Sequence, residues 1–345
     1  MIEVSIIIPC RNEKDYIAGV LDSILANDFP KENLEVIVAD GMSEDGTRAV
    51  IEEYTKKWPF IRLVDNPRKI VPCALNEAIR NAKGRIIMRM DAHAVYPPNY
   101  ISRMVSALGE MKADNVGAAW ETLPGGPGLV PKAIALALSH PFGVGNATYR
   151  LSNGEDRAPI ETDTVPFGCY RKEVFDKIGL FDEELVRNQD NELNERLKRA
   201  GGRIFLIPDV KIQYFARKNY SKLWKMFYQY GYFGPLVDKK LGKPTRLRRY
   251  VPLVFVLSIL LPALIMPFFP RIGLVSVCSF SLYALVNLAF SCLLATREKE
   301  PALATFLFLS FLLSHFSYGV GHIKGIWDFW VKQKKKESLE VELSR

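Results

Sequence analysis

The triplet Asp91-Ala92-His93 carries the clearest chemical potential in this chain. In an extended segment, positions i and i+2 project to the same side, so both side chains are expected to reach one cation. A carboxylate with an imidazole suits Mn2+ or another first-row ion better than Ca2+. Such an ion, bridging a diphosphate, would offset charge on a leaving nucleotide as the bond to it breaks. Asp40 is a second candidate. It follows Val36-Ile37-Val38 and precedes Gly41, which permits a tight turn. Two readings fit it equally: a carboxylate accepting a hydrogen bond from a nucleobase or ribose, or one that starts a turn and caps a helix. Asp190 is the third. It shares the inward helical face of Leu193 and Leu197, with Glu192 and Glu195 pointing elsewhere. A carboxylate on an apolar face needs a partner or a task. It serves either as a base that takes the proton of an attacking hydroxyl, or as half of a buried ion pair with an arginine such as Arg171 or Arg196.

Several other chemistries are excluded. No Gly-x-Gly-x-x-Gly follows the first apolar run, and there is no Gly-x-x-x-x-Gly-Lys-Ser/Thr or Gly-x-Ser-x-Gly. Histidines at 93, 140, 315 and 322 are too dispersed for a zinc signature. Cysteines at 10, 73, 169, 278 and 292 form no Cys-x-x-Cys pair and read as small buried hydrophobes.

Three strands must position these groups. Residues 4–8, 34–38 and 85–90 read as strands, with a further strand at 61–64, and apolar residues recur at helical spacing between them. Ser43 is placed to cap a helix running to about Lys57. Alternating β and α units imply an α/β fold with a mostly parallel sheet and helices on both faces. Ligands bind such sheets beyond the carboxyl ends of the strands, where Pro9, Asp40 and Asp91 all fall. The Gly- and Pro-rich stretch 120–180 reads as loops, either plain connections or carriers of specificity. A helix is expected over 183–200, ended by Gly201-Gly202, and a strand over 203–207. Residues 220–233 interleave aromatics with Lys222 and Lys225, which suits a helix in a membrane interface, with a core-packing helix as the alternative.

The 345 residues carry a net charge of +8. Basic residues cluster beside apolar runs rather than in a stripe with aromatics: Arg246, Arg248 and Arg249 before them, Lys332, Lys334, Lys335 and Lys336 after them. That pattern fits lipid head groups and membrane orientation, and nucleic acid is set aside as a partner. Runs at 251–269, 272–295 and 302–323 each reach about 18 apolar residues, enough for candidate membrane spans. Three full spans would put the lysine tail opposite the catalytic part. Pro252, Pro262, Pro267 and Pro270 allow instead a broken or re-entrant first run. Met1-Ile2-Glu3 leads straight into the first strand, so the catalytic part is expected in the cytosol. The expected division is 1–218 catalytic, 219–245 interfacial linker, 246–330 membrane anchor and 331–345 basic tail.

The ordered motifs resemble family 2 glycosyltransferases with the GT-A fold. Ile6-Ile7-Ile8-Pro9-Cys10-Arg11-Asn12-Glu13 is similar to their opening strand. Val38-Ala39-Asp40-Gly41 with Ser43-Glu44-Asp45-Gly46-Thr47 is similar to their second nucleotide-binding turn, although Ala39 stands where a paired acid is usual. Met90-Asp91-Ala92-His93 falls at the Asp-x-Asp-type metal triplet. Phe167-Gly168-Cys169-Tyr170-Arg171 and Gln189-Asp190-Asn191-Glu192-Leu193 resemble the segments around the base, with Gln189 in place of the usual Glu. Asp-Ala-His-Ala followed by Tyr-Pro-Pro, and the Pro-Phe-Gly-Val-Gly-Asn segment, resemble the exopolysaccharide branch that adds a β-linked glucose to a lipid-linked sugar, as in succinoglycan-type assembly. The resemblance implies Pro9, Arg11, Glu13 and Asp40 around the nucleoside, and Asp91, Ala92 and His93 at the nucleotide sugar. It implies Mn2+ or Mg2+ on Asp91 and His93, and Asp190 as the base of an inverting transfer. The implied partners are a nucleotide-sugar donor, UDP-linked by resemblance, a lipid-linked saccharide acceptor, and a cell (inner) membrane crossed more than once. No Gln-x-x-Arg-Trp of processive synthases is present, so one sugar per encounter is expected.

Overall fold

A computed structural model describes residues 1–152, 158–245 and 247–334. Arg246, Lys335, Lys336 and the rest of the basic tail beyond Lys334 lie outside the described residues. In chain order the elements are β1 (Val4–Cys10), α1 (Lys14–Leu25), β2 (Leu34–Asp40), α2 (Thr47–Lys57), β3 (Ile61–Asp65), α3 (Val71–Asn81), β4 (Ile86–Arg89), β5 (Ala94–Val95) and α4 (Tyr100–Glu110). There follow β6 (Asn115–Leu123), α5 (Leu129–Leu138), α6 (Pro141–Val144), α7 (Thr148–Leu151), β7 (Ile160–Glu161), β8 (Cys169–Arg171), α8 (Glu173–Ile178), α9 (Gln189–Arg199) and β9 (Ile204–Phe215). Helices α10 (Tyr220–Leu241), α11 (Val251–Ile265), α12 (Gly273–Arg297) and α13 (Leu303–Ile326) follow. It divides into two compact units, Met1–Glu121 with Thr148–Tyr214, and Thr122–Ala147 with Phe215–Arg345.

The first unit is built on one sheet, in the order β3-β2-β1-β4-β8-β6-β9-β5 with β7 beside β9. Strands β3, β2, β1 and β4 are parallel, as the βα alternation requires, and β8 then runs antiparallel to β4. Residue alternation along the strands explains the helices on both faces. Ile6 and Ile8 of β1 and Val36 and Val38 of β2 pack with Ile17, Val20 and Leu21 of α1. Their neighbours Ile7, Ile37 and Ala39 face the other way, against Ala74, Leu75 and Ala78 of α3 and Leu193 and Leu197 of α9. Each fully buried aliphatic contributes roughly 1.5–3 kcal/mol, so the parallel half of the sheet is rigidly seated.

One polar knot is buried at the base of this half. Ser5 Oγ donates to Glu35 Oε1 at 2.6 Å, Arg62 Nη2 donates to Glu35 Oε2 at 2.6 Å, and Gly84 N donates to Ser5 Oγ at 2.8 Å. A Cβ on Gly84 would stand 2.6 Å from Ser5 N. Gly84→Ala is therefore expected to destabilise the unit by about 1–3 kcal/mol. Gly109→Ala, in α4 with nothing within 4 Å of its Cβ, is expected to stabilise by roughly 0.5–1 kcal/mol. Thermal unfolding of the detergent-solubilised variants checks both; equal midpoints would contradict this account of the packing.

The second unit is helical and apolar. Leu247–Ile265, Pro270–Arg297 and Leu303–Val331 are long and apolar enough to cross a membrane. Helix α11 continues through Pro262 and stops at Ile265, so that proline does not break the run. Two sequence expectations are corrected here. The stretch 122–147, read as loop, contains α5 and α6. Ala133 and Ala137 of α5 pack with Leu303, Leu307 and Phe311 of α13, and Lys132 pairs with Glu298 at 3.1 Å and Glu300 at 2.8 Å. Glycines and prolines at both ends of the stretch hid an apolar ten-residue helix. The aromatic segment 220–233 belongs to a longer helix, α10, laid along α13. Its Gly231 approaches Tyr318, and Gly321 and Gly325 of α13 approach Tyr228 and Tyr232, so closely that a Cβ at any of the three would stand about 2 Å from a backbone oxygen. Phe233 is fully buried and Tyr232 nearly so, which makes core packing the better description of that face.

Candidate active site

The carboxyl ends of β1, β2 and β4 form one rim, with Cys10 paired in register to Asp40 and Ile7 to Arg89. Two loops are laced together above it. Gly41 N donates to Cys10 O at 2.7 Å, Asn12 N to Ser43 Oγ at 2.9 Å, Glu44 N to Asn12 Oδ1 at 3.0 Å, and Glu13 N to Thr47 Oγ1 at 2.9 Å. Pro9 is the penultimate residue of β1 and keeps some surface. Arg11 lies over Gly41, where a Cβ would meet its Cβ at 3.0 Å. A side chain at position 41 would press on the Arg11 stem, which passes close over the turn.

Asp40 has no exposed surface. Its Oδ1 accepts Ser43 Oγ at 2.5 Å, its Oδ2 accepts Ser43 N at 3.1 Å, and Arg48 Nη1 stands 3.6 Å away. The turn-forming reading describes it, rather than a group open to a ligand. Ser43 does not cap α2, contrary to expectation: the helix starts at Thr47, whose N–H donates to Asp45 Oδ1 at 3.0 Å. Arg48 also reaches Asp65 at 2.7 Å, at the edge of a cavity of about 320 Å³ lined in part by Asn66, Arg68 and Glu183. Nothing in the sequence marked that cavity, because its walls come from β3, α3 and a segment far downstream. Cys10 is buried beneath the loops, and burial with the nearby Glu13 pushes its thiol far up, so it is no nucleophile.

The segment after β4 differs from the expected extended strand. Residues 91–94 make a turn, with Ala94 N donating to Asp91 O at 3.3 Å, and Ala92 is buried within it. Asp91 and His93 consequently have different neighbours. His93 Nδ1 stands 3.7 Å from Glu13 Oε1 and its ring 6.4 Å from Tyr214. Asp91 is held by Arg89, Nε to Oδ1 at 2.7 Å and Nη2 to Oδ2 at 3.0 Å, while Asp91 N donates to Tyr96 Oη at 2.7 Å. No three His, Cys, Asp or Glu groups converge on a point among the described residues. Asp91 and His93 offer a carboxylate and an imidazole, donor types that suit a first-row divalent ion, and such an ion would need further ligands from outside this pair.

Arg89 also reaches Asp190. Its Nη1 donates to Asp190 Oδ1 at 2.8 Å and Oδ2 at 2.9 Å. Asp190 thus has an arginine partner, but neither of those expected. Arg171 donates to the carbonyls of Ala113 and Leu108, at 2.9 Å and 3.0 Å. Arg196 pairs with Glu192 at 2.5 Å, and Glu192 is itself buried. The helix carrying Asp190 is shorter than the 183–200 read from sequence. It begins at Gln189, after Asn188 in the left-handed region at φ 66°, which sets Asp190 in the first turn. Its side chain remains 26% exposed, against 6% for Arg89, so the carboxylate can meet a substrate while the guanidinium cannot.

Sequence reasoning missed the wall behind these groups. The Arg89 guanidinium lies over the Phe167 ring at 5.3 Å. Phe167 meets Trp120 at 5.1 Å, Trp120 stacks on Tyr214 at 4.2 Å, and Arg150 sits over Trp120 at 4.5 Å. The wall joins Arg89 at one end to His93 at the other through Tyr214. The one signal was Arg89 itself, a charge inside an apolar strand, which is almost never buried without partners.

Residues 5–179 match the family described as Glycosyl transferase family 2. Over 329 residues the chain is 28% identical to the succinoglycan biosynthesis protein ExoA of Rhizobium meliloti, covering 94% of this chain and 95% of that one. Over 337 residues it is 28% identical to the dolichyl N-acetyl-alpha-D-glucosaminyl phosphate 3-beta-D-2,3-diacetamido-2,3-dideoxy-beta-D-glucuronosyltransferase of Methanococcus voltae, covering 93% and 98% of the two chains. Among solved structures, the fold is similar to that of the mannosyltransferase PcManGT from Pyrobaculum calidifontis in complex with GDP-Man and Mn2+. The TM-score is 0.60 at 21% identity, over 94% of this chain and 87% of that one.

Proposed function

The chain belongs to glycosyl transferase family 2, and on that premise we propose that it is a metal-dependent, inverting transferase that moves glucose from UDP-glucose to a hydroxyl of a lipid-linked saccharide. Its class is a glycosyltransferase of glycan or polysaccharide biosynthesis, on the GT-A fold, with helices apolar enough to cross a membrane. The carrying observation is the Arg89 clasp: the Asp91 carboxylate and the partly exposed Asp190 carboxylate, from separate elements, are bound to one guanidinium. One carboxylate to take the acceptor's proton, beside another that could hold a cation for the leaving group, suits a single displacement at C1.

In this reading Asp91 and His93 would hold the ion, with Glu13 beside His93. Mn2+ or Mg2+ bound there would supply positive charge to a departing nucleotide. Pro9 and Arg11 line the nucleoside side, while Asp40 acts indirectly by fixing the 41–43 turn. Asp190 accepts the proton of the acceptor hydroxyl as its oxygen attacks C1, and the bond from C1 to the phosphate oxygen breaks with inversion. A lipid-linked acceptor is supported by the apolar helices and by the dolichyl-linked substrate in the name of the Methanococcus voltae relative. A multi-pass placement in the cell (inner) membrane, with this site on the cytoplasmic side, completes the proposal.

A panel of labelled nucleotide sugars, incubated with membranes containing the protein and followed by lipid extraction, tests donor and acceptor class together. Label from UDP-glucose in a lipid-linked saccharide is the expected result. Label from another sugar nucleotide alone would overturn the donor assignment. A second reading, a polyprenyl-phosphate sugar synthase, predicts label on the lipid phosphate itself, with no need of a base.

A further inference from the structure

Arg89 is a nearly buried charge held by two carboxylates and an aromatic ring. A guanidinium is planar and offers donors along separate edges, so one arginine can grip two carboxylates at once. Here Nε and Nη2 serve Asp91 and Nη1 serves Asp190. The guanidinium also lies over the Phe167 ring at 5.3 Å, a contact that helps hold it in place. Asp91 follows the strand that carries Arg89, whereas Asp190 belongs to a helix 101 positions further on. The guanidinium links these two carboxylates directly, and its near-complete burial keeps water from loosening it.

We propose that Arg89 is a positioning residue of the transfer reaction: it holds the Asp190 carboxylate at a fixed place relative to Asp91, so that the acceptor hydroxyl and the donor diphosphate are met by groups of set separation. The inference rests on the reading of Asp190 as the base. Arg89 takes no part in the bond changes. The proton passes from the acceptor oxygen to Asp190, the new bond forms between that oxygen and C1, and the electron pair of the broken bond leaves with the nucleotide.

Arg89→Lys separates this role from a structural one. Lysine keeps the charge but is a single point donor that cannot hold two carboxylates in one plane. In purified, vesicle-reconstituted protein, kcat is expected to fall about 100-fold, the cost of misplacing a reacting group by roughly 1 Å. UDP affinity in Mn2+ is expected to fall by a much smaller factor than kcat, because the Asp91 carboxylate and the His93 ring remain although the grip on Asp91 is weakened. Combining Arg89→Lys with Asp190→Asn should cost little beyond Asp190→Asn alone, since both remove one function. A fully folded Arg89→Lys protein with wild-type kcat, or losses that multiply in the double variant, would overturn the proposal. If the lysine variant does not fold, Arg89→Gln is carried through the same measurements with the same outcomes. An Asp190→Asn protein active at the wild-type rate removes the base reading itself. An inactive Asp190→Asn beside a fully active Arg89→Lys removes only the positioning role.

Discussion

Asp91→Asn is expected to lower kcat/KM for the nucleotide sugar by about 1,000-fold and to abolish the gain in UDP affinity on adding Mn2+. The substitution keeps the side chain's size and removes its charge. A bound ion contributes several kcal/mol of charge stabilisation at a leaving diphosphate, and about 4 kcal/mol corresponds to three powers of ten. Stability should change less than activity, because Arg89 retains its two bonds to Asp190. Titration of UDP by calorimetry, with and without Mn2+, reads the binding half of this expectation. Unchanged UDP affinity in excess Mn2+ would remove Asp91 from the ion and, with it, the chemical role of the 91–93 turn. His93 should show a smaller loss, since its neighbour is Glu13 and that carboxylate stays beside the site.

Asp190→Asn is expected to act on a different constant. A positioned base contributes about 10²–10⁴-fold, so kcat should fall within that range, while donor KM and UDP affinity hold within a few-fold. The pH dependence follows from the surroundings of the carboxyl. Burial pushes it up, the Arg89 guanidinium pulls it back, and the Asp91 carboxylate adds to the rise, leaving it above the ordinary aspartate value. The base works only when ionised. Wild-type kcat/KM, which reports the free enzyme's base, should therefore fall as pH drops through an acid limb lying above the usual range near 4, and that limb should vanish in Asp190→Asn. Transfer to a lipid phosphate would need no such base. An Asp190→Asn enzyme of near-normal kcat would favour the polyprenyl-phosphate alternative.

The rim of the site was legible because it rests on local signals. Apolar runs closed by Pro9, Asp40 and Asp91 define strand ends, and parallel strands bring their ends together. What escaped notice depended on long-range partners. Arg89 lies in an apolar strand with one carboxylate two positions away and the other 101 positions away. Spacing alone therefore pointed to Arg171 and Arg196, which instead satisfy local carbonyls and Glu192. The turn at 91–94 defeated a period-two argument, since the strand ends at Arg89 and not beyond it. Asp40 kept both of its readings until its carboxylate was seen closed onto Ser43. In the second unit, helix α5 was masked by the glycines and prolines around it. The pairing of α10 with α13 was masked because aromatic residues serve a packed helix and a membrane surface equally well.

The central claim is tested most directly by the chemistry of one product. Purified protein in lipid vesicles is given α-configured UDP-glucose, Mn2+ and a polyprenyl-diphosphate-linked saccharide, and the extracted lipid is examined by NMR. A glucose joined in β configuration to a saccharide hydroxyl, formed only with the ion present, is the predicted result. An α-linked product, glucose carried on the lipid phosphate, or equal transfer after chelation of the metal would contradict it.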